Sequence, residues 1–132
     1  MCNKAKIFSL LSSRLKEYDA IIIGEDKEVY ISGMVPVVHE ANINHMLPIY
    51  IARTTSQLGK LKSKLDGAGL RVFYILDNRY TIEEDEPTGQ ELIDLWHIEN
   101  DCVLVTSSYL EISTRSPIYP VFDKLMPTLN VY

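Results

Sequence analysis

The chain has 132 residues and a formal net charge of −5, which fits one domain and disfavours a protein that binds nucleic acid through bulk positive charge. Hydrophobic residues make up 46% and charged residues 23%, so the chain can bury a core and is not disordered. Its two cysteines form no zinc or disulfide pattern, and no apolar run reaches bilayer length or looks like a signal peptide. These features predict a single cytoplasmic domain over residues 1–132, with no membrane segment.

The first third of the chain predicts a helix followed by a β-hairpin. Apolar residues recur at helical spacing over residues 4–17. Two β-rich runs, 20–23 and 29–31, then flank a short charged stretch, which is typical of a hairpin. Pro36 is expected to end or to edge the element that follows.

Residues 43–66 allow two interpretations. Residues 47–52 can form a short buried strand that leads into a helix at 55–66. Alternatively, the apolar positions of 43–66 fall on one continuous helical stripe. Pro48 favours the strand and helix, because proline is tolerated only in the first turn of a helix.

The second half alternates strands and helices. Residues 70–76 predict a central strand covered on both faces, and 102–105 predict another buried strand. Between them, Thr88 and Glu91 form a capping-box pattern that begins a helix. Residues 116–125 begin with Ser and Pro, a typical helix start, and predict a final short helix.

This order of elements defines the expected fold class. Alternating strands and helices predict parallel strands joined by right-handed crossovers, and the hairpin would add an antiparallel edge. We therefore expect an α/β fold with a mixed, mainly parallel sheet, flanking helices, and an N-terminal helix plus β-hairpin.

Polar residues at the ends of two strands are the candidate ligand-binding site. Asp77, Asn78 and Arg79 follow one strand, and Thr106 and Ser107 follow the next. If the strands are parallel neighbours, these side chains share a cleft suited to a nucleotide, a phosphorylated metabolite or a hydrated metal. The alternative is that both segments are ordinary turns, which Asp, Asn and Ser favour.

Other candidate centres are weaker. His39 and His45 are too far apart in sequence for a zinc-protease helix, and His97 would join them only by a tertiary coincidence. The acidic run 83–86 is expected to be a solvated loop, and Cys102 to be a buried, inert thiol. The sequence therefore predicts no metal centre and leaves the catalytic residues and any cofactor unknown.

Two family resemblances are present. Residues 48–113 resemble a TIR domain, through the strand 49–51, the helix 58–65 and the stretches 69–73 and 98–110. That resemblance implies a parallel α/β fold; NAD-cleaving members also need a glutamate in the helix after the last of these strands, where this chain has Ser116 and Pro117. The order helix, hairpin, long helix, sheet and helix is similar to roadblock-type modules, which implies dimerisation and regulation of small GTPases. It requires the continuous-helix interpretation.

The expected function is a small regulatory or binding module. It would act by docking a protein partner, or a second copy of itself, through an acidic surface that carries tyrosines. The alternative is a nucleotide- or phosphometabolite-binding domain, TIR-like or hydrolase-like, either with or without catalytic activity. This alternative assigns its ligand contacts to the five polar residues at the strand ends.

Overall fold

The computed structural model describes residues 3–79 and 86–127 and contains one five-stranded sheet. All four strand pairings are parallel, and the strand order is β2-β1-β3-β4-β5. None of the helices in the described ranges is long and apolar enough to span a membrane. The elements are α1 (Asn3–Arg14), β1 (Ala20–Gly24), α2 (Glu28–Asn42), β2 (Ile49–Ala52), α3 (Thr55–Gly67), β3 (Val72–Asp77), α4 (Gly89–Trp96), β4 (Cys102–Thr106), α5 (Tyr109–Ser113) and β5 (Val121–Asp123).

The strand order reverses direction between β1 and β3. The chain passes from β1 to β2 at one edge, returns to the other side of β1 to form β3, and then adds β4 and β5. This is the flavodoxin-like doubly wound order, in which ligands bind in the crevice outside the carboxyl ends of the strands at the reversal. The ends of β1 and β3 are therefore where a site is expected.

Helices cover both faces of the sheet, so the fold has three layers. On one face, α1 and α2 pack on alternate residues of the central strands, including Ile21, Ile23 and Phe73. On the other face, the helices after β2 pack on the intervening residues, such as Ile22 and Tyr74. Both faces of β1, β3 and β4 are thus buried, which explains their nearly continuous apolar sequences.

The N-terminal helix α1 contacts both α2 and the last strand, β5. Helix α1 packs against α2, and Ile7 and Leu11 are fully buried in their shared core. At its first turn, Asn3 Nδ2 donates a hydrogen bond of 2.6 Å to the backbone carbonyl of Asp123 in β5. The two ends of the described chain are therefore joined at the same edge of the sheet.

Several sequence predictions are confirmed. The α/β class with flanking helices is correct, and α1 forms where helical spacing predicted it. The segment 43–66 contains strand β2 and helix α3, so the continuous helix that the roadblock resemblance requires is absent. The capping box at the start of α4 is complete, because Thr88 and Glu91 each bond the other's backbone N–H.

The predicted hairpin is wrong, and the sheet is all-parallel instead of mixed. Residues 29–31 have strand propensity, but they belong to the first turns of α2. Helical spacing from Ile31 to Ala41 buries one face of the segment against the sheet, and that burial overrides the propensity of three residues. Pro36 lies inside α2 and does not end it.

The predicted helix over residues 116–125 is also wrong, because strand β5 forms there. Ser116 has a positive φ of 49°, which is not the extended conformation of an N-cap residue. Pairing with the open edge of β4 satisfies the backbone, beginning with a 2.9 Å hydrogen bond from Leu104 N to Pro120 O. Val121 and Phe122 then pack on opposite faces of the sheet, as successive residues of a strand do.

A close approach between α2 and the segment after β5 gives a stability prediction. A methyl group at Gly33 would overlap the backbone carbonyl of Leu125, whereas one at Gly59 in α3 would meet nothing within 4 Å. We expect Gly33→Ala to lower the free energy of unfolding by about 1–3 kcal/mol. Gly59→Ala, the matched control, should raise it by about 0.5–1 kcal/mol. Urea denaturation of both variants checks this prediction. A free energy of unfolding that is unchanged in Gly33→Ala would contradict the close packing of α2 against Leu125.

Candidate functional site

Three carboxylates meet at the carboxyl ends of β1 and β3. Glu25 and Asp26 directly follow β1, and Asp77 is the last residue of β3. The two strands are adjacent and parallel, so their ends lie side by side at the point where the strand order reverses. One oxygen from each carboxylate lies within 4.8 Å of the other two.

Lys124 completes the cluster from the last strand. It follows β5 directly, and its ammonium forms ion pairs with Glu25 Oε1 and, at 2.9 Å, with Asp77 Oδ1. The side chains of all three residues are only 6–8% exposed. Water therefore screens these charges weakly, and each side chain depends on the others for stabilisation of its charge.

The electrostatics of this cluster favour proton uptake by the acids. Burial, and then the negative charge of Asp77, raise the pKa of Glu25 from 4.5 to about 7, against the opposing effect of Lys124. Burial also raises the pKa of Asp77, although Lys124 again opposes the shift. For Lys124, burial lowers the pKa, but its bonds to both carboxylates outweigh burial and leave the pKa raised. Among the buried side chains of the cluster, two carboxylates thus share the single ammonium of Lys124.

Asp26 supplies an oxygen that has no partner. Its Oδ1 is buried and accepts no hydrogen bond within the described part of the chain. Glu25, by contrast, accepts a 3.0 Å bond at Oε2 from the backbone N–H of Asp26, which orients its carboxylate. Buried acceptors without partners are costly. Oxygen donors with surplus negative charge are the ligands that Mg²⁺ and Mn²⁺ prefer, so the residues fit a hard divalent cation.

The five residues predicted from the sequence line one hollow beside this cluster. The hollow has a volume of about 230 Å³. Asp77 lies against Lys124, whereas Arg79 and Ser107 are exposed residues of its wall. Whether a ligand contacts these five remains a prediction. The lining residues are Asp26, Lys27, Tyr30, Asp77, Asn78, Arg79, Thr106, Ser107, Ser108 and Lys124.

Two of the predicted residues also have structural partners. Asn78 holds the start of α4: its Oδ1 accepts a 3.1 Å bond from Gln90 N, and its backbone carbonyl accepts a 2.8 Å bond from Gly89 N. Thr106 is buried, and its Oγ1 accepts a 3.0 Å bond from the backbone N–H of Ser108, at the start of α5. The Thr106 hydroxyl retains a proton that it can donate.

Sequence reasoning missed Glu25, Asp26 and Lys124. The sequence pattern predicts a hairpin turn at the first two and a helix at the third. None of the three is therefore expected at the carboxyl end of a parallel strand. The signal in the first case was an acidic pair directly after an isoleucine-rich buried strand. The acidic run expected to be a solvated loop lies mostly outside the described residues, since 83–85 are not among them.

Cys102 is not a candidate nucleophile. Its thiol is buried within β4, as the sequence predicted. Burial, and then the charge of Asp101, raise its pKa to about 12. Thiolate is therefore scarce at neutral pH.

Comparison with known proteins finds no matching family model, no matching curated protein and no matching solved structure. Because one fold can carry many functions, the chemistry of the strand-end cluster has to decide between them.

Proposed function

We propose that this chain is a phosphoacceptor domain of the receiver type, that is, a domain that takes a phosphoryl group on an aspartate and transmits the change to its surface. Asp77 would be the acceptor, with Glu25, Asp26 and Asp77 holding a divalent cation. The observation that carries the proposal is the buried ion pair of 2.9 Å between Lys124 and Asp77 inside a cluster with surplus negative charge.

Asp77 is suited to nucleophilic attack on phosphorus. An aspartate carboxylate can form an aspartyl phosphate. In the proposed step, a carboxylate oxygen of Asp77 bonds to the phosphorus of an acyl phosphate donor. The bond between phosphorus and the donor oxygen breaks, and the donor leaves as a carboxylate with that electron pair. The product is a mixed anhydride on Asp77, and no proton has to be transferred.

Lys124 and Thr106 are placed to stabilise the transferred group. Phosphoryl transfer depends mainly on positioning and on positive charge around the equatorial oxygens. Lys124 already contacts the Asp77 carboxylate and can shift its ion pair to a phosphoryl oxygen. Thr106 lines the same hollow, and its hydroxyl can donate to another oxygen. A bound divalent cation would neutralise further phosphoryl charge.

A route from this site to the surface runs through Thr106. Its Oγ1 accepts the bond from Ser108 that precedes α5, and α5 carries Leu110, whose side chain is exposed (76%). If Thr106 turns toward a phosphoryl group, that bond is lost and the start of α5 can move. A docking or self-association role at this surface would then respond to phosphorylation. The proposed place of this regulatory module is the cytoplasm, where Cys102 would stay reduced.

The size of the hollow favours a phosphoryl group over a nucleotide. Its volume of about 230 Å³ lies below the range of roughly 300–1,000 Å³ that is usual for small-molecule pockets. A phosphoryl group with a cation fits such a volume more readily than a base and ribose do. Of the ligands that the sequence suggested, we therefore favour a small phosphorylated metabolite that acts as the phosphoryl donor.

The direct test is phosphorylation by acetyl phosphate in the presence of Mg²⁺. We expect the wild-type chain to gain one phosphoryl group by intact mass, and Asp77→Asn to gain none. Asp94→Asn, which alters an exposed aspartate on α4, is the matched control and should be phosphorylated like the wild type. Equal labelling of Asp77→Asn and the wild type would contradict the proposal, as would a wild-type chain that takes no phosphoryl group.

Divalent cation binding gives a separate prediction. Mg²⁺ or Mn²⁺ at a hundred times its dissociation constant should stabilise the fold by about 2.7 kcal/mol, because only the folded chain assembles the three carboxylates. Asp26→Asn should abolish most of this gain, since it removes charge from the carboxylate with the unpartnered oxygen. Thermal melting with and without cation measures both. Equal stabilisation of wild type and Asp26→Asn would place the cation elsewhere.

A further inference from the structure

An aromatic ring covers the remaining side of the Lys124 ammonium. The Nζ atom of Lys124 lies 4.2 Å from the centroid of the Tyr30 ring, within the range of a cation–π contact. Glu25 and Asp77 bind the same ammonium. Lys124 is thus held by two carboxylates and one ring while its side chain is only 7% exposed.

Tyr30 is held in place by the first turns of α2. Its backbone N–H donates a 3.1 Å bond to the carbonyl of Lys27, at the beginning of the helix. The side chain lines the main hollow and also a second, smaller cavity of about 20 Å³ that Lys124 and Asp77 share. Among the described residues that line the main hollow, Tyr30 is the only aromatic one.

We propose that Tyr30 is the positioning residue for Lys124 in phosphoryl transfer to Asp77, a role that rests on the proposed phosphoacceptor function. When Asp77 attacks phosphorus, Lys124 has to exchange its contact with the carboxylate for one with a phosphoryl oxygen. The ring offers the ammonium an attractive surface that does not compete for the phosphoryl oxygens and that keeps water from that side. Tyr30 touches neither donor nor acceptor in this role and acts only through Lys124.

This role predicts that the ring matters and the hydroxyl does not. Tyr30→Phe keeps the face of the ring, so its rate of phosphorylation by acetyl phosphate with saturating Mg²⁺ should stay within about twofold of wild type. Tyr30→Met keeps an apolar side chain of similar length but removes the ring, and its rate should fall about tenfold or more. Tyr50→Met on β2 is the matched control and should react at the wild-type rate.

A spectroscopic measurement separates this role from a structural one. Protons above an aromatic ring resonate upfield, so the ε-methylene protons of Lys124 should be shifted upfield in wild type and in Tyr30→Phe. The shift should disappear in Tyr30→Met. Thermal melting with and without Mg²⁺ establishes that each variant is folded and binds the cation, and Tyr30→Leu replaces the methionine variant if that one does not fold.

The outcomes distinguish this inference from the proposed function. A wild-type chain that takes no phosphoryl group would overturn both. A phosphorylated wild type with an equally fast, folded Tyr30→Met would overturn only the role of Tyr30. Tyr30→Phe as slow as Tyr30→Met would assign the effect to the hydroxyl and would likewise overturn the role of the ring.

Discussion

Lys124→Met is expected to lower the free energy of unfolding by about 3–5 kcal/mol near pH 8 in the absence of divalent cations. Lys124 is the only cation with a side chain as buried as those of Glu25 and Asp77 in the described part of their cluster. Without it, two buried carboxylates face each other with no compensating charge. Urea denaturation monitored by circular dichroism measures the loss.

Three comparisons make this result specific to buried charge. Lys60→Met, at an exposed position of α3, should change the free energy of unfolding by less than about 0.5 kcal/mol. The loss in Lys124→Met should shrink near pH 5, because the carboxylates then bind protons. Adding Glu25→Gln to Lys124→Met should recover much of the stability. If Lys124→Met had the same free energy of unfolding as the wild type near pH 8, the two buried carboxylates would not depend on this ammonium.

Ionisation of Glu25 should lower the stability of the wild-type chain without cations by about 3 kcal/mol as the pH rises from near 4.5 to above 7. The pKa of Glu25 is raised in the folded state, so the folded chain binds this proton more tightly than the unfolded chain does. The resulting stability is fully present below about pH 4.5 and is lost as the pH rises through about 7. Lys124 stays charged throughout, because its pKa is raised above 10.5.

Glu25→Gln is the variant that isolates this effect. It cannot ionise, so its stability should vary less with pH and should exceed that of the wild type above pH 7 by up to about 3 kcal/mol. Glu111→Gln, on exposed α5, should retain the wild-type pH profile. A difference in stability between Glu25→Gln and the wild type that does not grow from pH 4.5 to pH 7 would contradict a raised pKa of Glu25 in the folded chain. Saturating Mg²⁺ should reduce the pH dependence above pH 7, because the cation compensates the same carboxylates.

The central strands were predictable because their sequences carry the signal locally. β3 and β4 are buried on both faces, and such strands read as unbroken apolar runs that end at polar residues. Asp77 and Thr106 could be named for that reason, and their shared hollow follows from two parallel neighbouring strands. The capping box at Thr88 was recognisable because its partners lie within one turn of helix.

The rest of the cluster depends on contacts that no local pattern contains. Glu25 and Asp26 follow a strand, but an acidic pair before a short β-rich run is equally typical of a turn. β5 has only three residues and forms because the edge of β4 is open to it, so its short sequence does not specify a strand. Lys124 therefore meets Glu25 only through the order of strands in the sheet.

The most direct test of the central claim is to locate the phosphoryl group chemically. After treatment with acetyl phosphate and Mg²⁺, sodium borohydride reduces an aspartyl phosphate to homoserine, which peptide mass spectrometry can place in the sequence. We predict homoserine in place of Asp77, with no conversion when Mg²⁺ is omitted. Conversion at another acidic residue would contradict Asp77 as the acceptor. A phosphoryl group that resists hydroxylamine would also contradict it, because a phosphate ester survives this treatment and an aspartyl phosphate does not.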